Sequence, residues 1–302
     1  ISKVINMYKI STNTPQWKTR PQGPTGDIKE ILKNLKEAGF DTYDFTMEGF
    51  HDVYDIFIDK DDYLDRAKDL RQYADSLGMT CNQTHSFFPA IRFNYTEEQK
   101  EKGIEYVCRC LEISAILGSN YCVVHPVNDY SDEENNEFVQ RLLPTAHRVK
   151  VKICLENMWN WNAGEPHACA ASCSHHDTFV HLLDLCNDEY VVACLDIGHA
   201  YMEGLGTDGV KMIKAIGTRL HCLHIHDNNC LHDQHNLPFT HNIPFEDVIN
   251  ALADIDYCGD ITFECDFYIK AFPQELYIPA MRLMHSIGVY MRDELIKRKH
   301  QN

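Results

Sequence analysis

The chain contains no run of about 18 uncharged apolar residues, the length a membrane-spanning helix requires. Its first residues, ISKVINMYKIS, lack a basic stretch leading into an apolar one and do not read as a secretory leader. Positive charge is scarce: 28 Lys and Arg stand against 45 Asp and Glu, a formal net charge of −17. A field of that sign repels phosphate backbones, so no nucleic-acid partner is expected. The one dense basic run, KRKH at 297–300, falls in what reads as a terminal tail. Cysteine is abundant, 13 in all, but no CxxC pair of the zinc-ribbon kind occurs. Cys122, Cys154, Cys194, Cys222 and Cys265 lie in apolar runs, where cysteine behaves as a small hydrophobe, so reduced thiols and a cytoplasmic setting are expected. No glycine-rich phosphate-binding turn follows the first apolar run, which argues against a doubly wound nucleotide-binding sheet. Linkers, low-complexity tracts and clear internal repeats are also missing.

What is present is a regular alternation of short apolar runs with longer amphipathic segments. KVINMYKI at 3–10 reads as a strand, and the helix after it places Ile28, Ile31, Leu32, Leu35 and Ala38 on one face before Gly39 stops it. DTYDFTM, MTCNQTH, NYCVVHP, VKICLEN, YVVACLD, RLHCLHIHD and GDITFE read as further strands, each followed by a helical segment. In the helix over 132–149, Pro144 predicts a break or kink. Strands separated by helices pair in parallel, and eight such units suit a closed (β/α)8 TIM barrel, with residues 1–302 as one domain. The longest loop, 158–175, follows the fifth strand.

A barrel of this kind builds its chemistry at the C-terminal ends of its strands. The third strand ends in His85, the fourth in His125 and the fifth in Glu156. The sixth ends in Asp196 with His199 three residues on, the seventh in His224, His226 and Asp227, and the eighth in Glu264. Taken alone, each histidine is as well explained by a hydrogen-bonded loop position. The carboxylates are harder to dismiss, because Glu156 closes VKICL, Asp196 closes VVACL and Glu264 closes ITF. A charge against a core is costly unless paired, and three carboxylates at one barrel mouth repel unless a cation joins them. Oxygen donors with one imidazole suit Mn²⁺, most readily, or Zn²⁺, Mg²⁺ or Co²⁺ rather than a thiophilic ion.

The phrases CLEN, CLDIGHA, LHIHDN and ITFE resemble the xylose isomerase-like barrel superfamily, and within it the sugar (phosphate) isomerase/epimerase branch. The resemblance spans nearly the whole chain and is most specific from Glu156 to Glu264. It implies a divalent metal ion held by Glu156, Asp196, His224 and Glu264, and a sugar or polyol substrate isomerised or epimerised through an enediolate. Glu156 and Glu264 would be the acid–base pair, His199 a substrate contact, and His85, His125, His235 and Trp159 the lining of the pocket. His224 and His226 point to the same side of a strand. The His-x-x-Asp spacing favours His224, with His226 as the alternative. A dehydratase or lyase uses the same metal logic. Endonuclease IV, a trinuclear zinc enzyme of the superfamily, has ligand types that map onto His85, His125, Glu156, Asp196, His199, His224, Asp233, His235 and Glu264. Against a nuclease, and against a phosphorylated substrate, the segment CLHDQHNLPFTHN at 230–242 holds no Lys or Arg, leaving Arg92 and Lys270 near the site. A homo-oligomer is compatible with the resemblance.

Overall fold

A computed structural model describes residues 8–14, 27–47, 57–92 and 94–300. Eight parallel strands form its centre: β1 (Ile10–Thr12), β2 (Thr42–Thr46), β3 (Thr80–His85), β4 (Tyr121–Val124), β5 (Lys152–Glu156), β6 (Val191–Asp196), β7 (Leu220–His224) and β8 (Ile261–Phe263). Strands β2 to β7 pair in sequence order and β1 pairs β8. Single bridges from Asn13 to Asp44 and from Ile225 to Phe263 join β1 to β2 and β7 to β8. The ring is therefore closed, and an open doubly wound sheet is ruled out.

Among the described residues, eight helices of eight residues or more lie between and after the strands: α1 (Ile28–Ala38), α2 (Tyr63–Ser76), α3 (Glu97–Leu117), α4 (Asp132–Val149), α5 (His176–Cys186), α6 (Gly209–Ile216), α7 (Phe245–Asp254) and α8 (Tyr277–Lys299); two short ones, Ile197–Ala200 and Asp266–Lys270, follow β6 and β8. Their ends follow local chemistry. Asp27 caps α1 and Gly39, at φ 112°, ends it in the left-handed region that favours glycine. Thr96 with Gln99 and Ser131 with Glu134 form capping boxes that start α3 and α4.

The core divides by the period of two along each strand. Ile153 and Leu155, Ala193 and Leu195, and Leu223 and Ile225 face outward into the apolar layer beneath the helices. Cys154, Cys194 and Cys222 face the barrel axis with Val123 and Val192. Two residues further along each of those three strands stand Glu156, Asp196 and His224. The alternation that buries a thiol layer inside the barrel thus also delivers the polar groups above it. All thirteen cysteines are free thiols, and among the described residues no helix is long and apolar enough to cross a membrane.

Three expectations need correction. Of the first strand expected at 3–10, residues 3–7 lie outside those described; the strand that pairs into the ring is Ile10–Thr12, and Tyr8, at φ 62°, leaves the extended region just before it. Helix α4 runs unbroken through Pro144, because Phe138, Val139, Leu142, Leu143 and Ala146 are all buried along it; that burial outweighs a proline cost of about 3 kcal/mol. The basic KRK is the last turn of α8 rather than a tail, and Lys299 reaches back to Asp256. The 158–175 loop also carries a short antiparallel hairpin, Asn160–Trp161 with Ala168–Cys169, that its sequence did not announce.

Candidate metal centre

Two groups of donors occupy the C-terminal mouth of the barrel. In the first, one donor atom from each of Glu156, Asp196, His224 and Glu264 lies within 4.8 Å of the others. His224 is its pivot: Nδ1 stands 2.7 Å from Glu156 Oε1 and 3.2 Å from Glu264 Oε2. Its other nitrogen, Nε2, lies 3.1 Å from Asp44 Oδ2. Asp44 is fully buried on β2, and Gln83 Nε2 donates to the same oxygen at 3.0 Å. Donation from Nε2–H to Asp44 leaves Nδ1 facing the carboxylates, the arrangement by which a carboxylate fixes a metal-binding histidine.

Glu156 also meets the third and fourth strands. His125 Nε2 lies 2.9 Å and His85 Nε2 3.3 Å from Glu156 Oε2. Asn157 clamps the Asp196 backbone, accepting from its N–H at 2.7 Å and donating to its carbonyl at 2.9 Å. The Asp196 carboxylate then caps a one-turn helix, Ile197–Ala200, by accepting from the His199 N–H at 2.6 Å.

That turn begins the second group: His199, His226, Asp233 and His235, again within 4.8 Å of one another. Two of its imidazoles bond main-chain carbonyls. His199 Nδ1 bonds the Asn157 carbonyl at 2.9 Å and His235 Nδ1 the Glu264 carbonyl at 2.9 Å. Their Nε2 atoms point at Asp233 Oδ2, at 3.3 and 3.2 Å. His226 joins the groups, with Nε2 3.1 Å from Asp196 Oδ1 and 3.4 Å from Asp233 Oδ1. Gly198 makes room for it: a Cβ there would lie 1.8 Å from the His226 ring. Trp159 Nε1 approaches Asp233 at 3.4 Å, whereas Trp161 is exposed in the hairpin.

The electrostatics divide the carboxylates. Burial would raise Glu156, but His224 and His125 hold it well below the usual carboxylate range. Burial pushes Glu264 up to about 8 against the pull of His224 and His235. Asp196 and Asp233 are both lowered, each by two histidines that overcome burial. Burial would lower His199, yet Asp196 and Asp233 carry it up to about 10.

The donors fit a divalent cation. Three carboxylates and an imidazole converge on one point at the barrel mouth, and Asp196 Oδ2 is buried without a hydrogen-bond partner among the described residues. A buried oxygen of that kind carries a desolvation cost that a cation would offset. The structure thus assembles Glu156, Asp196, His224 and Glu264 in one group. It places His226 with His199 and His235 in the neighbouring group, and brings His85 and His125 onto Glu156. Asp44, Gln83 and Asn157 were not singled out from the sequence. Asp44 carried a signal of the same kind as Glu156, a carboxylate inside a strand run, but at mid-strand rather than at its end.

Residues 32–286 match the family described as the xylose isomerase-like TIM barrel, and the chain belongs to that family. Its relatives include an uncharacterized protein of Methanocaldococcus jannaschii, MJ1311, 24% identical over 248 residues and covering 78% of each chain. Among solved structures, a D-tagatose 3-epimerase-like protein superposes with a TM-score of 0.72 at 18% identity, covering 96% of this chain and 99% of the other. The 3-keto-D-glucoside 4-epimerase of E. coli superposes with a TM-score of 0.69 at 16% identity, covering 92% and 99%. At such identities the structural likeness establishes the barrel.

Proposed function

We propose that this chain, residues 1–302 acting as one domain, is a divalent-metal-dependent isomerase or epimerase of an unphosphorylated sugar or polyol. The observation that carries the reading is the convergence of Glu156, Asp196, His224 and Glu264 at the barrel mouth. Family membership and the sugar epimerases among its structural relatives support it. Mn²⁺ is the favoured ion, with Zn²⁺, Mg²⁺ and Co²⁺ as alternatives. When bound, the ion supplies Lewis-acid polarisation that makes a C–H proton beside a carbonyl acidic. Glu156 and Glu264 are the acid–base pair: one carboxylate takes that proton and the other returns one. Return to the opposite face of the same carbon epimerises, and return to the neighbouring carbon isomerises. The two groups start from different states, Glu156 held ionised and Glu264 inclined to keep its proton. His199, His85, His125 and His235 hold substrate oxygens, and Trp159 covers the pocket beside Asp233. The protein is taken to work in the cytoplasm, without nucleic-acid or membrane partners; a homo-oligomer is compatible with this reading. A dehydratase or lyase of a sugar-like substrate would use the same groups.

The test is incubation of metal-loaded protein with ketoses, aldoses and inososes in D₂O, followed by NMR. Deuterium at the carbon beside the carbonyl, lost in Glu156→Gln and Glu264→Gln, is the expected result; metal uptake without exchange on any polyol would sink the reading. One observation favours a second reading. The group of His199, His226, Asp233 and His235 supplies further donors, as a multinuclear abasic-site nuclease of the endonuclease IV kind would need. The shortage of Lys and Arg around it among the described residues argues otherwise, and metal-dependent nicking of an abasic duplex at moderate salt is the result that would reinstate it.

A further inference from the structure

Asp227 follows β7 close behind His224 and His226, yet it joins neither donor group. Alternation along the chain turns it away from those two histidines. Its carboxylate is fully buried and accepts four main-chain N–H groups from the segment that follows. Oδ1 takes Asn228 at 2.9 Å and Ile243 at 3.1 Å. Oδ2 takes Thr240 at 3.0 Å and His241 at 2.8 Å. Four such donors fill the acceptor positions of one carboxylate. The Asp227 main chain exchanges two more bonds with Asn236, at 2.8 and 3.0 Å. Asn228, also fully buried, ties the same segment to the one-turn helix after β6: Nδ2 donates to the Gly198 carbonyl at 3.0 Å, and Oδ1 accepts from the Cys230 N–H at 2.8 Å.

Residues 228–242 hold no helix or strand of their own. Within them stand His235 and Asp233, and Asp233 is the carboxylate that the Nε2 atoms of His199 and His235 face. Groups on such a segment are only as well placed as the contacts that fix it. Asp227 fixes the start of the segment at Asn228, its middle at Asn236, and its return at Thr240, His241 and Ile243. One buried side chain therefore closes the loop on itself, and Asn228 docks the closed loop on the turn that carries His199.

We propose that Asp227 and Asn228 are positioning residues for the reaction: they act through Asp233 and His235, holding them over the barrel mouth where substrate oxygens are bound. The kinetic part of this inference rests on the sugar isomerase or epimerase reading above.

The decisive variant is Asp227→Asn, which keeps the shape but turns one oxygen into an NH₂ group facing two N–H donors. Deuterium exchange into D-fructose and D-tagatose gives kcat and KM. In Asp227→Asn, kcat/KM should fall about 10- to 100-fold, the scale of a misplacement of about 1 Å, and chiefly through KM. Metal content by elemental analysis should match wild type, because the first donor group stands on strands. In a background already lacking the positioned groups, Asp233→Ala/His235→Ala, adding Asp227→Asn should cost less than about threefold more. A full further loss there, or unchanged kinetics in the single variant, overturns the proposal. A second readout needs no substrate: ¹H–¹⁵N spectra of the imidazoles in Mg²⁺-loaded protein. The His235 signals should move in Asp227→Asn while those of His224 stay. Should Asp227→Asn not fold, Asn228→Ala is measured in its place with the same expectation. Unmoved His235 signals overturn the proposal in either variant. Absence of exchange by wild type is a failure of the sugar reading alone, and the imidazole spectra then decide the positioning role.

Discussion

The two donor groups at the barrel mouth are built on different supports. Glu156, Asp196 and His224 end strands, and Glu264 directly follows one, so the period of two that buries Cys154, Cys194 and Cys222 also aims three of these donors at the axis. The second group takes His199 from a one-turn helix and Asp233 and His235 from the long segment after β7. Its order depends on main-chain carbonyls of Asn157 and Glu264. A site on strands inherits the rigidity of the sheet, whereas one on loops depends on each supporting contact. The first group should therefore survive loss of the second, and the reverse should fail.

The largest effect is expected from Asp196→Asn. Its carboxylate sits in the first group, touches His226 and caps the turn that carries His199. Metal content by elemental analysis should fall and turnover should drop by about 100-fold or more, since losing one electrostatic contact at a reacting centre commonly costs that much. Full metal content and activity would falsify the assignment. Next, His224→Ala should release the ion of the first group, while His226→Ala should retain it. The opposite order would move the ligand to His226.

Asp44→Asn tests the support rather than the ligand. Metal affinity, measured by competition with a chelator, should weaken about 10- to 100-fold, the range seen when the partner of a metal-bound histidine is lost. An unchanged affinity would mean that Asp44 does not set the His224 tautomer. Gly198→Ala makes the converse cut. Its new methyl would collide with the His226 ring, so the second group should be disturbed while cobalt bound at the first keeps its visible spectrum.

The smallest effect concerns pH. Glu264 keeps its proton up to about 8 in the metal-free fold but loses it near the ordinary carboxylate value when unfolded, so its contribution to stability declines as pH rises across that interval. His199, raised to about 10, contributes stability that is fully present below its ordinary value and lost as pH climbs through 10. Both slopes have the same sign. The lowered Glu156, Asp196 and Asp233 change their contributions only at acid pH. Metal-free protein should thus melt at progressively lower temperature from pH 6.5 to 9 on a scale of a few degrees, and a flat profile would contradict these two assignments.

Most of the barrel was legible because burial on both faces of a parallel strand writes itself as an apolar run, and a helix writes its stop as Gly39 or its start as Thr96 with Gln99. The early end was not: no local signal showed that the chain turns at Tyr8 before pairing Ile10 with Ile261. Pro144 misled for a related reason, since a local cost is decided by the non-local burial of the helix face around it.

By itself the sequence determined which residues close the strands, because alternation is a property of neighbours along the chain; that offered Glu156, Asp196 and Glu264 with His224 or His226, and the family resemblance selected His224. The tertiary structure alone decided that Asp44, 180 residues from His224, would hold its Nε2, and that His226 would join His199 and His235. Those choices depend on curvature and ring closure, which set the distance across the barrel and leave no trace in local spacing.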